Sequence, residues 1–225
     1  MPDVTGTFTD LKGHNDALIR KMKELAIFIA PWPSAPALTT ITNVAGTQLT
    51  IPDSYKSVGM IGKDDGATWT PSIDISEVGA YGYGTAVRRD ATSRTLDLGF
   101  TMLEAKKAVW ELYYGINLSE ATVPAAKNEL YFDQPAAPGT SYFRVLAVGK
   151  DGEGSSTLYH AEYLPKAILT DVEALSWSDG DPLSYGVTLS ADVDSAYGTS
   201  QRSFWGGPGF TTELLTAMGF TRDAA

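Results

Sequence analysis

The sequence contains no cysteine, which excludes disulfides and thiolate metal sites and fits a reducing compartment. Its only histidines are His14 and His160. A Ser-His-Asp triad would need one of them, and no G-x-S-x-G elbow accompanies either. Long hydrophobic runs are also missing. The longest, "LAIFIA" from Leu25 to Ala30, falls far short of the roughly 20 residues of a spanning helix. It follows "IRKMKE" and lies too far from the start for a simple signal peptide, so the expectation is a soluble protein used without secretory export. Basic residues are scarce, 17 against 27 acids, for a formal net charge of -10. A nucleic-acid binder normally shows a basic face. An acidic wall that nucleic acid merely passes is not excluded, because repulsion there can be useful.

What is present is β-structure. The 225 residues suffice for one sizeable domain, or for one domain with long arms. After a polar start, Leu18, Met22, Leu25, Ala26 and Ile29 recur at spacings of three and four, which predicts an amphipathic helix from Asn15 to about Ile29. The prolines of "APWPSAPALTTITN" then give an extended connector that would hold this helix away from the domain. Val58 to Ile61, Ile73 to Val78 and Gly82 to Val87 are strand candidates, and "DDG" at Asp64 to Gly66 is a hairpin signal. In "TSRTLDLGFTM", Leu96, Leu98, Phe100 and Met102 alternate with Thr95, Asp97, Gly99 and Thr101, one face on a core and one on water. A helix from Leu103 to Tyr114 follows, with Thr101 and Glu104 as its capping box and Gly115 after its last turn.

Residues 117–140 read as a long excursion with a short strand at "NELYFD". A second hairpin turns at "KDGEG", between Tyr142 and Leu164. A third runs from "KAILTDVEALSW" through "SDGDP" to "LSYGVTLSADVD". In its second arm Tyr185, Val187, Leu189, Ala191 and Val193 oppose Gly186, Thr188, Ser190, Asp192 and Asp194. In its first arm Asp171 and Glu173 share a face, although Ala167 and Leu169 have the same parity. The chain ends in a glycine-rich aromatic loop, "GTSQRSFWGGPGF", and a short helical tail.

Candidates for chemistry give way to simpler roles. The pairs Asp64/Asp65, Asp171/Glu173, Asp179/Asp181 and Asp192/Asp194 could suggest a two-carboxylate glycosidase or a calcium loop. Acids at turns cap their own backbone, however, and acids on an alternating strand form a solvated face. "DVDSAYG" leaves the calcium-loop pattern after its first acids. "GAYGYG" has no helix after it, so it is a bend and not a phosphate cradle. No catalytic, cofactor or metal residue is assigned. The fold class expected is mainly β: an antiparallel sandwich or partial barrel with one flanking helix, an N-terminal helical arm over 1–53, a β-domain over 54–205 and a C-terminal arm over 206–225. Its long hairpins have edges that a lone protein would blunt, and a closed ring of subunits would remove them.

The stretches "NDALIRKMKELAIFIAPW", "SVGMIGKDDGATWTPSIDISEVGAYGYGTAVRRDATSRTLDLGFTMLEAKKAVWELYYGI", "FRVLAVGKDGEG" and "SWSDGDPLSYGVTL…GTSQRSFWGGPG" occur in collinear order from about Asn15 to Gly209. They resemble the major tail proteins of long, non-contractile-tailed bacteriophages, especially those of actinobacterial hosts. The resemblance implies a tail-tube fold and a structural virion protein. Six copies form a ring, rings stack, and inner strands close a β-barrel around the channel for DNA ejection. Its implied partners are copies of itself, a tape-measure protein, and tail tip and tail terminator proteins. DNA passes without specific binding, no membrane is entered, and assembly takes place in the host cytoplasm. The chain ends too soon after "WGGPG" for the extra immunoglobulin-like domain of some members.

By this analogy the hairpins Tyr81–Met102 and Lys166–Asp194 supply the inner barrel, and Asp97, Asp171, Glu173, Thr188, Ser190 and Asp192 line an acidic bore. Basic residues there would hold phosphates; Arg88, Arg89 and Arg94, on the same hairpin, are placed at its rim. Leu18, Met22, Leu25, Trp32, Asp64, Asp65, Arg88, Arg89, Trp205 and Phe210 are the expected contacts between subunits or rings. Three alternatives stay open. A carbohydrate-binding sandwich would use Trp177, Trp205 and Phe210 as a platform. A paired-carboxylate hydrolase needs a deep pocket and one acid of raised pKa. The tube protein of a bacterial injection device would share the ring logic.

Overall fold

A computed structural model describes residues 6–64, 66–119, 121–137 and 139–222. Eight strands form a single open sheet in the order β2-β1-β5-β6-β7-β4-β3, with β8 also paired to β6. They are β1 (Glu24–Pro31), β2 (Lys56–Ser57), β3 (Ala67–Val78), β4 (Arg88–Met102), β5 (Tyr142–Asp151), β6 (Leu158–Val172), β7 (Tyr185–Ala191) and β8 (Arg202–Gly206). The helices are α1 (Phe8–Leu11), α2 (Lys107–Tyr114) and α3 (Thr212–Ala217). Every named pairing is antiparallel. The sheet curls so that Ile27, Val145 and Leu164 from one half meet Leu98, Phe100, Val187 and Leu189 from the other, with Val109 and Leu112 of α2 in the same core. A second core, on the opposite side of β1, β5 and β6, packs Leu146, Val148, Ala161 and Tyr163 against Ala35, Leu38, Ile41 and Tyr55.

The expected helix over 15–29 is not formed. A 3-10 turn covers Asp16–Leu18, and β1 follows, paired along its length with β5. Ile27 and Ile29 enter one core and Ala30 the other. A strand buried on both faces reads as a continuous apolar run, and in "LAIFIA" that run overlaid a helical spacing. The connector after it also packs, through Ala35, Leu38 and Ile41. The arm drawn over 1–53 is therefore not separate from the domain beyond Glu24.

Other elements shift for local reasons. Residues 82–87 form a glycine-rich loop and no strand; pairing resumes at Arg88. The strand expected at Val58–Ile61 reduces to Lys56–Ser57 and one bridge, Ile61 to Met102. Thr101 is in β4, so it cannot cap α2, whose N-cap is Lys106 without a side-chain bond. Glu104 instead accepts the Met60 N–H at 2.7 Å and pairs with Lys106 at 2.6 Å. Gly115 closes α2 in the left-handed conformation, as its position after the last turn predicts. "NELYFD" makes one bridge, Tyr131 to Thr122. The second and third hairpins share one strand, β6, with Pro165 where the register to β5 shifts, a place that needs no N–H.

The aromatic loop at the C-terminus contains β8, which pairs with residues 159–163 of β6. Gly207, directly after it, has φ 109°, and a Cβ there would sit 2.7 Å from the Thr157 carbonyl oxygen. Gly207→Ala is expected to cost roughly 1–3 kcal/mol, read as a lower midpoint in urea with an unchanged slope.

Candidate assembly face

The strands β6, β7, β4 and β3 lie side by side, and their alternation separates two faces. Leu98, Phe100, Met102, Tyr185, Val187 and Leu189 enter the core. The residues between them form the other face. Asp97 pairs with Ser190 and Gly99 with Thr188, while Ser190 in turn pairs with Ile168 and Thr188 with Asp171. On the far side Asp97 pairs with Thr70 and Gly99 with Thr68. The ladder thus extends the polar face onto β3, a continuation that reading hairpins one at a time does not reveal.

A bulge settles the parity of β6. Leu169 pairs with Leu189, and the next pair is Asp171 with Thr188, so Thr170 is the extra residue. One inserted residue moves everything after it to the other face. Leu169 packs on the core, whereas Asp171 joins the polar face. Glu173 follows. Its N–H donates to the Gly186 carbonyl at 2.9 Å, and its carboxylate lies over Gly186, where a Cβ would be 2.0 Å from Oε2. All six residues expected to line a bore, Asp97, Asp171, Glu173, Thr188, Ser190 and Asp192, therefore share the face turned away from the core. The Ser190 hydroxyl donates to Asp97, and Lys166 reaches Asp192 at 3.7 Å. That lysine, stacked over Tyr142 at 4.2 Å, places a cation at the border of this surface.

Both ends of this four-stranded run are open. Among the described strands β3 forms a ladder with β4 alone, and β6 loses its β5 neighbour after Ile168. β7 meets β4 only at residues 97–102, so β3 and β4 continue beyond it as a free ribbon. Strand residues 71–78, at about 3.3 Å each, carry it roughly 25 Å outward. Ile73 and Ile75 on the ribbon are half exposed or more, and Tyr81 and Tyr83 stand at its tip. Arg88 pairs with Asp90 at 2.7 Å and Arg89 with Glu77 at 2.6 Å, within the ribbon itself.

The expected contact residues divide. Asp64 is an exposed turn residue, while Asp65 lies outside the described residues. Leu18 is half-buried; Met22, partly exposed, packs on Gly149, and Leu25 packs on the core. Trp32 is tied inward, its Nε1–H donating to Asp194 Oδ2 at 3.1 Å. Trp205 stacks on His160, and Phe210 lines a shallow groove with Val44. Trp177 is exposed in the loop after β6, whereas Trp205 pairs near that strand's start. These rings do not assemble into one platform.

Among the described residues no group of three metal-ligating side chains occurs, and no helix is long and apolar enough to cross a membrane. A groove of about 500 Å³ between β1, β5, β6 and the start of β3 contains His160 and Glu162. Burial pushes the Glu162 carboxyl up, but bonds from His160, Ser203 and Gln201 outweigh it and hold the group below its ordinary 4.5. Glu104, Asp194 and Glu213 are likewise held low by hydrogen bonds. A proton-donating acid would need the opposite shift.

The fold defines a class, an open, mainly antiparallel β-sheet curled around a core with one helix packed on it. No family model matches the sequence, and no curated protein does. Among solved structures the chain is similar to the tube-terminating cap of an anti-feeding prophage, at 13% identity over 89% of this chain and 98% of that one, with a TM-score of 0.42. It is also similar to an Hcp protein, at 15% identity over 80% and 96%, with a TM-score of 0.29. At TM-scores this low neither likeness carries weight on function; the faces and edges of the sheet do.

Proposed function

We propose that this chain is a tube-building structural protein, the repeating subunit of a long non-contractile phage tail. Six copies close into a ring by pairing the open edge of β3 with the open end of β6 on the next copy, and rings stack through the ribbons. The polar face of β6, β7, β4 and β3 then lines the bore through which DNA leaves. The carrying observation is that face: its carboxylates and hydroxyls back onto the main core, and it ends in open edges on both sides. A sheet with open edges joins a neighbour through main-chain bonds, and a closed ring satisfies all of them at once. An acidic bore keeps phosphates from sticking.

The interface is testable without disturbing the fold. Ile73→Lys together with Ile75→Lys changes exposed ribbon side chains, so monomer stability is expected to stay within about 0.5 kcal/mol. Assembly should be lost. Negative-stain microscopy of the concentrated protein checks this: hollow tubes from the parent chain and none from the variant. Tubes of equal length and number from both would remove the ribbon from the account.

A further inference from the structure

The C-terminal strand is held by more than its ladder. His160 on β6 has Nδ1 3.3 Å from the carbonyl oxygen of Phe204 in β8, and Nε2 3.3 Å from Glu162 Oε1. Both partners are acceptors. A neutral imidazole has one N–H and leaves one of these contacts unmade; an imidazolium donates to both. Glu162 is itself bound from the β8 side, by Ser203 Oγ at 2.7 Å and by Gln201 Nε2 at 2.7 Å. The imidazole ring lies flat on Trp205, with centroids 4.2 Å apart and planes 23° apart, a geometry that also favours the cation.

We propose that a proton on His160 locks β8 to β6, making attachment of the C-terminal segment sensitive to pH. The lock is local to this chain and independent of the assembly reading. Among the described residues the charged groups facing it are few. Glu162 lies on its own strand, and Lys23, Glu24 and Lys63 line the same groove from β1, its approach and the turn before β3. Glu24 is occupied by Lys150 at 2.8 Å. From β5 come Ala147 and Gly149, and from β8 Ser203 and Trp205, all uncharged. Arg202 stacks on Tyr197 instead.

The sign comes from the partners. The bond to Glu162 is the largest cause raising His160 above its ordinary 6.5, against the opposing effect of burial. A raised histidine contributes stability that is whole below 6.5 and is lost as pH rises through its folded value. Glu162 is held below 4.5, so its share is present above 4.5 and lost as pH falls through its own folded value. The lock is tightest between the two.

The test uses dilute full-length chain. The His160 imidazole is followed by NMR against pH, alongside amide exchange in β8 corrected for its intrinsic pH dependence. The midpoint is expected above 6.5 and lower in Glu162→Gln. Corrected exchange in β8 should quicken roughly tenfold above the midpoint, the factor for losing one charge-assisted bond. In His160→Gln it should be flat with pH. Should that variant not fold, the wild-type and Glu162→Gln titrations decide alone. A midpoint at or below 6.5, or corrected exchange in wild type that ignores the titration, overturns the proposal.

Discussion

Asp194→Ala is expected to lower the melting temperature by roughly 6–20 °C. Asp194 and Arg144 are both buried, with Nη1 2.9 Å from Oδ2. The remaining Arg144 bonds go to the Pro165 carbonyl at 2.7 Å, the Ala35 carbonyl at 3.0 Å and the Tyr163 hydroxyl at 3.4 Å. Asp194 also receives Trp32 Nε1 at 3.1 Å and the Ala196 N–H at 3.0 Å. One ion pair therefore joins β5, the proline-rich connector, β6 and the segment before β8. Removing one member of such a pair strands a buried charge, at about 3–5 kcal/mol. For a domain of this size each kcal/mol moves the midpoint by roughly 2–4 °C. Replacing both members by apolar residues should cost less than removing Asp194 alone, because no charge is left unpaired, although the Pro165 and Ala35 carbonyls and the Trp32 and Ala196 N–H groups lose a partner. Thermal scans of the single and double variants check this, and equal losses in both would contradict it.

The same pair gives acid sensitivity. Burial pushes the Asp194 carboxyl up, but bonds from Trp32, the Ala196 N–H and Arg144 outweigh it and hold the group below 3.8. A lowered carboxylate contributes stability that is present above 3.8 and is lost as pH falls through its folded value. Wild type should therefore weaken on strong acidification in a way that Asp194→Ala does not.

The second large effect is on the bore. Asp97→Lys with Asp171→Lys exchanges two acids per copy for two cations on the polar face. In a ring of six that replaces roughly a dozen negative charges with positive ones, repeated in every ring. Phosphate contacts add roughly linearly in the logarithm of affinity. Assembled variant tubes are expected to retain DNA strongly at low salt and release it steeply as salt rises, whereas parent tubes retain none. In virions the tails should form and infectivity should fall by orders of magnitude, because DNA stalls. Normal infectivity with both lysines in place would refute an acidic bore.

How much of this was legible depended on range. The faces of β4 and β7 could be read directly, because Leu96 to Met102 and Tyr185 to Ala191 alternate without interruption and each has one face on the core; beyond β7 the alternation fails, and Val193 is exposed while Asp194 is buried. The conflict in β6, where Asp171 shares parity with Leu169, marked a real feature. A bulge at Thr170 resolves it, and a bulge is set by the partner strand and not by local sequence. β1 was misread because six apolar residues fit either period, and only the pairing with β5 selects the strand. β8 hid behind its glycines. The Arg144–Asp194 pair spans fifty positions. Its one local signal was a lone arginine in "YFRVLAV", a buried run that obliges a carboxylate to meet it.

The most direct test of the central claim is a cryo-EM reconstruction of the assembled protein. The account predicts a hollow tube of six-membered rings in which β3 of one copy pairs with β6 of the next, and Asp97, Asp171 and Thr188 face the channel. An assembly that turns those residues to its outer wall, or buries them against another copy, would contradict it.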